Sequence, residues 1–476
     1  MKPPVKLTVV RQPLDLPGDG LAGAVGSWPE PALLVCTSLE GDRCWSILAA
    51  WPRLVYEATV EQWSISTDTG WRQSGSGDPL EELARLTNRF NLDFEAEGRT
   101  REGQEACPFQ GGFIGFLGYD LAPILERLPR RAPRDSRLPD IRMALYDTAV
   151  TIDHSTGEVT LHAWDLTGEG REALERRCRW WRRSLRNARL THRSLRPLHL
   201  PVPTSDLERG DYLGRVRRAL EYIAAGDIFQ VNLSHRFTTF GTVEPLALFQ
   251  QLSLASPAPH AAFLQWRDLA VASASPELFF ETWGNRIITR PIKGTRPRGL
   301  DPAEDRRLAA ELAASAKDRA ELTMIVDLER NDLGRVCEYG SVNVAQPLCV
   351  ESFAQVHHLV ATVEGKLRPD VRPVDVIRAL FPGGSITGAP KIRAMEIIDE
   401  LEPTRRSLYT GAIGYLSRGG ALAFNIAIRT LLIEGHRVSY QVGGGIVADS
   451  DPATEYEETL AKGRGLQAVF QPEKSA

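Results

Sequence analysis

The chain is poor in features that would direct it to an oxidising compartment, a membrane or a nucleic acid. Its six cysteines, Cys36, Cys44, Cys107, Cys178, Cys337 and Cys349, contain no Cys-x-x-Cys spacing. That argues against a zinc site and fits reduced thiols in a cytoplasmic protein. No uninterrupted apolar stretch reaches the roughly 20 residues of a membrane-spanning helix. The segment Met1-Lys2-Pro3-Pro4-Val5-Lys6 lacks the apolar core of a signal peptide, and Arg11 and Asp15 soon interrupt. A cytoplasmic location is therefore expected. An excess of one charge is missing too: 57 basic residues face 61 acidic ones, for a net charge of -4. Neither nucleic acid nor an anionic membrane is expected as a partner on that balance. What remains is ordinary globular composition, 42% hydrophobic and 25% charged over 476 residues. That length allows a large core and, as a soft prior, two to four domains.

The densest signal runs from Glu277 to Arg298. Leu278 to Trp283 and Ile287 to Ile292 are rich in β-branched and aromatic residues, with Gly284-Asn285-Arg286 between them as a turn. A three-residue loop pairs Trp283 with Ile287 and sets Glu277 opposite Lys293, on one face of the ladder. Directly opposed side chains approach within about 5 Å. A lysine facing a carboxylate is most commonly a solvated cross-strand ion pair of little energetic weight. The sharper alternative is a nucleophilic or basic lysine beside a carboxylic acid, which requires burial or a neighbouring cation to lower the lysine pKa. Gly294, next in sequence, lets backbone approach a ligand closely.

Before this hairpin, residues 1 to about 165 read as strands and turns. Ala32 to Cys36 and Trp45 to Ala49 flank a Gly41-Asp42 turn, and Asp78 to Asn91 has helical spacing. Gln110 to Tyr119 is glycine-rich and aromatic, a strand with close backbone packing rather than a dinucleotide loop. Ile141 to Ile152 and Gly157 to Trp164 read as a hairpin. Glu169 to Asn187 is an arginine-dense helix, taken as a solvated face with Trp180 and Trp181 packed inward. Ala188 to Pro203 is a proline-bearing linker and the best boundary, dividing an N-terminal segment, 1–203, from 204–476.

Downstream, Asp211 to Ala225 is an amphipathic helix and Gly226 to Leu233 leads into a strand. Asp301-Pro302 and Ser315-Ala316-Lys317-Asp318 are helix starts. The helix after Ser315 is apolar almost all round and is predicted to be buried. Its Glu321 must then be ion-paired, protonated or metal-bound. Phe381 to Lys391 is a loop feeding a helix to about Leu401, and such a helix start favours anions. Its glycine spacing approaches a Walker A loop, but alanine stands where the lysine belongs. Ala412 to Leu416, Ala421 to Leu432 and Arg437 to Val442 read as strands. Gly443-Gly444-Gly445 then implies either a ligand against the backbone or a tight bulge. Asp451-Pro452 opens the last helix, with Glu455 and Glu458 on one face. Two readings stay open there: complements to the helix dipole, or, with Glu321, three carboxylates for a hard cation such as Mg2+.

Several stretches in order carry a family resemblance. They are Ser275-Pro276-Glu277, Pro291-Ile292-Lys293-Gly294-Thr295, Met324 to Leu328 with Arg330-Asn331-Asp332, His357-His358-Leu359-Val360, the Gly383 to Lys391 loop, and Gly443 to Ser450. Together they resemble the chorismate-utilising enzymes, the family of component I of aminodeoxychorismate synthase and of anthranilate synthase. The likeness is strongest from about 207 to 468. It implies an α+β fold, a complex two-layer, mostly antiparallel β-sandwich with surrounding helices, into which the N-terminal segment is integrated. It implies Mg2+-dependent chemistry on chorismate, with Glu321, Glu455 and Glu458 as metal-holding carboxylates. Tyr409, Arg429, Lys462 and the Gly443, Gly444 and Gly445 backbone would hold the two substrate carboxylates, with Ser385 and Thr387 lining the same pocket. His358 resembles the family's active-site histidine.

The branch turns on Lys293, a lysine where anthranilate synthases typically have alanine. The implied reaction is aminodeoxychorismate synthesis, with Lys293 as nucleophile and Glu277 as general acid, on the route to 4-aminobenzoate and folate. The implied partner is a separate glutamine amidotransferase subunit, since none of the six cysteines has a glutaminase-type setting. Leu33-Leu34, with Ser38, Arg43, Cys44, Trp45 and Ser46, resembles the stretch that holds tryptophan in relatives. The competing expectations are anthranilate synthase component I, an isochorismate-forming relative that uses water, or a catalytically dead paralogue. Retention of Lys293, Glu277 and the three glutamates argues against the last.

Overall fold

Short runs of β-branched and aromatic residues build two large antiparallel sheets. The computed structural model describes residue 25 and residues 28–35, 44–90, 92, 107–166, 168–188, 200–353 and 355–470. One sheet has 11 strands. Edge to edge it runs Thr204–Ser205, Gln230–Phe240, Arg437–Ile446, Thr430–Glu434, Leu269–Ser275, His260–Trp266, Ala32–Val35, Trp45–Ala49, Thr148–Asp153 and Val159–Ala163, with Gly388–Ala389 beside Gln230–Phe240. The other has 12 strands. It runs Ile292–Pro297, Val356–Lys366, Arg286–Arg290, Leu278–Trp283, Leu422–Ile426, Ala412–Ser417, Gly112–Leu117, Ile141–Tyr146, Leu54–Ala58, Gln62–Thr67 and Arg72–Ser76, with Asn343–Ser352 beside Val356–Lys366. With ten α-helices among the described residues, the fold is α+β.

Both sheets contribute to one inner core, where Ile47, Ala49, Ile114, Phe116, Tyr146, Trp266 and Ile413 are buried together. Each such large apolar side chain stabilises the fold by about 1.5–3 kcal/mol when fully buried. A second core covers the 12-stranded sheet with residues of helices Pro79–Arg89, Ala316–Gly334 and Pro373–Leu380. A third covers the other sheet with residues of Arg171–Ala188, Pro245–Ala255 and Pro452–Ala468. In each sheet the strands before residue 204 form one block and those from 204 on another, and the blocks meet at one pair: Ala32–Val35 with His260–Trp266, and Gly112–Leu117 with Ala412–Ser417.

The helix starts follow their capping chemistry. The side chains of Asp78, Asp301, Ser315 and Asp451 each accept from backbone N–H groups of the first turn. Three expected elements differ. Ile141 to Ile152 and Ala421 to Leu432 are not single strands; each splits and changes sheet, at Asp147 and at Ala427 to Arg429. The buried Asp147 carboxylate is held at its corner by Arg177 and Arg53. Arg429 turns its corner with φ of 49°. Finally, Ala316–Gly334 is not buried all round. Leu322, Ile325, Val326, Glu329, Asp332 and Leu333 are buried, while Thr323, Asp327 and Arg330 face solvent.

Candidate active site

The turn that organises the site is shorter than expected. Trp283 pairs with Arg286, so Gly284-Asn285 forms a two-residue turn, and the register then shifts between Leu278 and Glu281. Pro291 has no N–H to continue the ladder. The strand breaks there, and Ile292–Pro297 runs on along Val356–Lys366, so Glu277 is not the ladder partner of Lys293. The two are nevertheless brought into one electrostatic neighbourhood, because each stands at a break. Glu277 lies where the chain crosses from Leu269–Ser275 to Leu278–Trp283, in the other sheet, and Lys293 lies just past Pro291.

Ser385 bridges them. Its Oγ donates to Glu277 Oε1 at 2.7 Å, and its carbonyl accepts from Lys293 Nζ at 3.3 Å. The loop bearing Ser385 is seated on helix Ala316–Gly334, where a Cβ on Gly384 would lie 2.5 Å from Leu328 Cδ2. Burial raises the Glu277 carboxyl pKa, against Ser385, Lys293, the Ile292 N–H and Lys462. Burial lowers the Lys293 ammonium pKa; Lys462 adds to the effect, and Glu321, Glu277 and Glu458 oppose it. The pair therefore approaches a neutral acid beside a neutral amine, the state a nucleophile and a proton donor need.

The glycine run forms one wall. Gly443, Gly444 and Gly445 stay in register opposite Ser234, Leu233 and Asn232, with no bulge. A Cβ on Gly445 would lie 2.9 Å from Gln230 Nε2 and 3.6 Å from Lys293 Nζ. One on Gly444 would lie 3.3 Å from Glu455 Oε2 and 3.9 Å from Lys462 Nζ. The missing side chains thus leave room beside the charged groups. Lys462 reaches back from the last helix to Glu458 at 2.7 Å and to the Gly443 carbonyl at 3.3 Å.

Glu458 lies within electrostatic reach of both Glu321 and Glu455, but the three do not close on a common point. Among the described residues, no three His, Cys, Asp or Glu side chains are arranged to hold a metal ion. Glu455 is turned to Ser450 Oγ at 2.6 Å, and Glu458 to Lys462. Burial raises Glu321 and Glu455; at Glu458 burial is overcome by Lys462, and the carboxyl falls below its usual range. The donor chemistry fits a hard cation, which would favour the ionised forms that burial resists. Engaging all three would require Glu458 to leave Lys462.

The remaining expected residues are spread around this centre. His358 is buried, with Nδ1 2.9 Å from Thr295 Oγ1. Burial, with Arg429 adding, pushes its imidazole down to about 3, so it is neutral. The Arg429 guanidinium makes no hydrogen bond or ion pair among the described residues, and burial lowers its pKa. Thr387 is buried and turned to the Gly383 carbonyl at 3.0 Å. Tyr409 is buried against the Arg406 guanidinium, 5.6 Å from its ring centre. Cys44, just before strand Trp45–Ala49, is buried, and in that strand Ser46 Oγ is 2.7 Å from His154 Nε2. Ser38 and Arg43 lie outside the described residues.

Sequence reasoning passed over Gln230. It is fully buried, both ends of its amide lack a hydrogen-bond partner, and it faces the space beside Gly445 and Lys293. It lies two residues before Asn232, the partner of Gly445, and no motif in the sequence marks it. It also passed over Arg406 and Glu402, a buried pair at 2.7 Å that ties the site's second layer to the Asn232 and Ile386 carbonyls.

Residues 48–468 match the family described as chorismate binding enzyme. The chain belongs to that family. Aminodeoxychorismate synthase component 1 of Escherichia coli strain K12 is 42% identical over 403 residues, 84% of this chain and 84% of the relative. Anthranilate synthase component 1 of Thermus thermophilus is 44% identical over 359 residues, 75% of this chain and 77% of the relative. The crystal structure of anthranilate synthase component I from Streptococcus pneumoniae superposes with a TM-score of 0.78 at 32% identity, covering 91% of this chain and 94% of that one. The site described above lies within the matched region of this chorismate binding enzyme, and these relatives are aminodeoxychorismate and anthranilate synthase components. No helix among the described residues is long and apolar enough to cross a membrane.

Proposed function

We propose that the chain is the chorismate-converting subunit of an aminodeoxychorismate synthase, making 4-amino-4-deoxychorismate from chorismate and ammonia. The observation that carries the reading is Lys293: a lysine of lowered pKa between Glu277 and the glycine wall. In the first step the Lys293 amine bonds to C2 of chorismate. The ring double bonds shift, the C4–O bond breaks, and Glu277 gives its proton so that the hydroxyl leaves as water. In the second step ammonia bonds to C4, the double bonds shift back, and the C2–N bond breaks with return of the Lys293 amine. One displacement is thereby split into two, each with its reactants held in place. Ser385 orients the Glu277 carboxyl and, through its carbonyl, the amine.

Arg429 and Lys462 suit the substrate carboxylates, the first by its unpaired planar fork. Mg2+, held by Glu321, Glu455 and Glu458, would supply positive charge to offset a substrate carboxylate and the developing charge on the leaving oxygen. Ammonia would come from a separate glutaminase subunit, and aromatisation to 4-aminobenzoate would fall to another enzyme.

Anthranilate synthesis is the second reading, supported by the 44% identity to the Thermus thermophilus relative. Product identity separates the two. The purified chain is incubated with chorismate, Mg2+ and ammonium, and the product is identified by mass and by treatment with an aminodeoxychorismate lyase. A 4-amino-4-deoxychorismate peak that the lyase converts to 4-aminobenzoate supports the reading; anthranilate overturns it.

A further inference from the structure

Three buried carboxyls crowd the helix side of the site. Glu277, Glu329 and Asp332 are all buried, and Glu329 lies within electrostatic reach of both the others. Lys293 and Lys462 face Glu277, and Lys391 and Arg335 face Asp332; of these, Lys391 also faces Glu329. Lys391 sets Nζ 2.5 Å from Asp332 Oδ2, and its other bonds go to the carbonyls of Leu380 at 3.2 Å and Pro382 at 2.9 Å. Its hydrogen-bonding capacity is thereby filled. Glu329, on helix Ala316–Gly334, is 4% exposed and makes no ion pair among the described residues. Beside it is the Thr289 hydroxyl, fully buried on strand Arg286–Arg290 and without another partner. An ionised Glu329 would be set against the Lys391 ammonium, which is already engaged by Asp332 and two carbonyls. A buried carboxyl left over in that way takes a proton.

We propose that Glu329 is a positioning residue for the reaction: a neutral carboxylic acid whose protonation keeps the site one negative charge short. While neutral, it leaves Glu277 as the acid that faces Lys293. On ionising, it adds a negative charge that favours the protonated Lys293 ammonium and disfavours a dianionic substrate. Its titration lies in a useful range, since burial, with Asp332 and Glu277 as like-charged neighbours against Lys391, pushes the carboxyl up to about 8. The consequence for catalysis rests on the roles proposed for Lys293 and Glu277; the protonation of Glu329 does not.

Infrared spectra of the full chain at neutral pH, wild type minus Glu329→Gln, test the protonation directly. A protonated-carboxyl carbonyl band present in the wild type, absent from the variant and lost in the wild type on raising pH is expected. Its absence from the difference overturns the proposal, whatever product the enzyme makes. The chorismate KM is measured across the same pH range at constant free ammonia. In the wild type it should rise roughly tenfold, the size of one nearby buried charge, and in the variant stay flat. Parallel KM profiles overturn the catalytic part. Asp332→Asn removes a like charge and frees Lys391, so the band should vanish about one pH unit lower or more. An unmoved band overturns the role given to Asp332 and Lys391.

Discussion

Removing the Ser385 hydroxyl tests whether Glu277 works as a proton donor. Ser385 Oγ donates to Glu277 Oε1 at 2.7 Å and favours the ionised carboxylate. A hydrogen bond to a charged group contributes about 1.5–3 kcal/mol, and roughly 1.4 kcal/mol corresponds to one pKa unit. Ser385→Ala should therefore raise the Glu277 pKa by roughly one to two units, with the Ile292 N–H and Lys293 still in place. An acid acts in its protonated form, so its activity is present below its pKa and lost as pH rises through it. Raising that pKa moves the alkaline limb of kcat to higher pH. The assay is chorismate turnover at saturating chorismate and constant free ammonia across neutral to alkaline pH. Glu277→Gln identifies the limb, which it should abolish while lowering kcat about 10²- to 10⁴-fold. A limb that stays in place in Ser385→Ala, or moves to lower pH, would refute the assignment of Glu277 as the acid.

Three further outcomes are expected. Lys293→Ala should lose most ammonia-dependent turnover while chorismate still binds, and intact-mass analysis of a quenched wild-type reaction should find an adduct that the variant lacks; unchanged turnover sinks the nucleophile role. Glu458→Ala frees Lys462 and should abolish metal-dependent turnover, so full activity at low Mg2+ takes it out of the metal-binding set. Gly445→Ala places a Cβ 2.9 Å from Gln230 Nε2 and 3.6 Å from Lys293 Nζ, and should cost roughly 10-fold or more in kcat/KM with an unchanged melting profile.

Much of this arrangement was legible in the sequence, and the failures share a cause. Caps read well because they are local: Asp78, Asp301, Ser315 and Asp451 each use a short side chain on the next turn. The approach of Lys293 to Glu277 was visible, but through the wrong register. A bulge between Leu278 and Glu281 and the break at Pro291 replaced the expected ladder, and neither leaves a period in the residues. The corners at Asp147 and Arg429 were invisible for a related reason, since both flanking runs are apolar strands and nothing in such a run reports which sheet it joins. Gln230 and Glu329 were missed because a polar residue buried by tertiary packing looks, in sequence, like any surface residue. The three glutamates were expected as a metal-holding set from their residue type and family positions, but the sequence does not show that Glu455 turns to Ser450 and Glu458 to Lys462.

The junction of early and late strands within each sheet also decides how the chain can be cut. Ala412–Ser417 finds a neighbour in Gly112–Leu117, and His260–Trp266 finds one in Ala32–Val35. A fragment starting at 204 would present both strands as bare edges, open to pairing with copies of itself. Shortening this enzyme to its catalytic half should therefore yield an aggregate, and supplying the two halves as separate polypeptides in one cell should restore a soluble heterodimer by strand complementation.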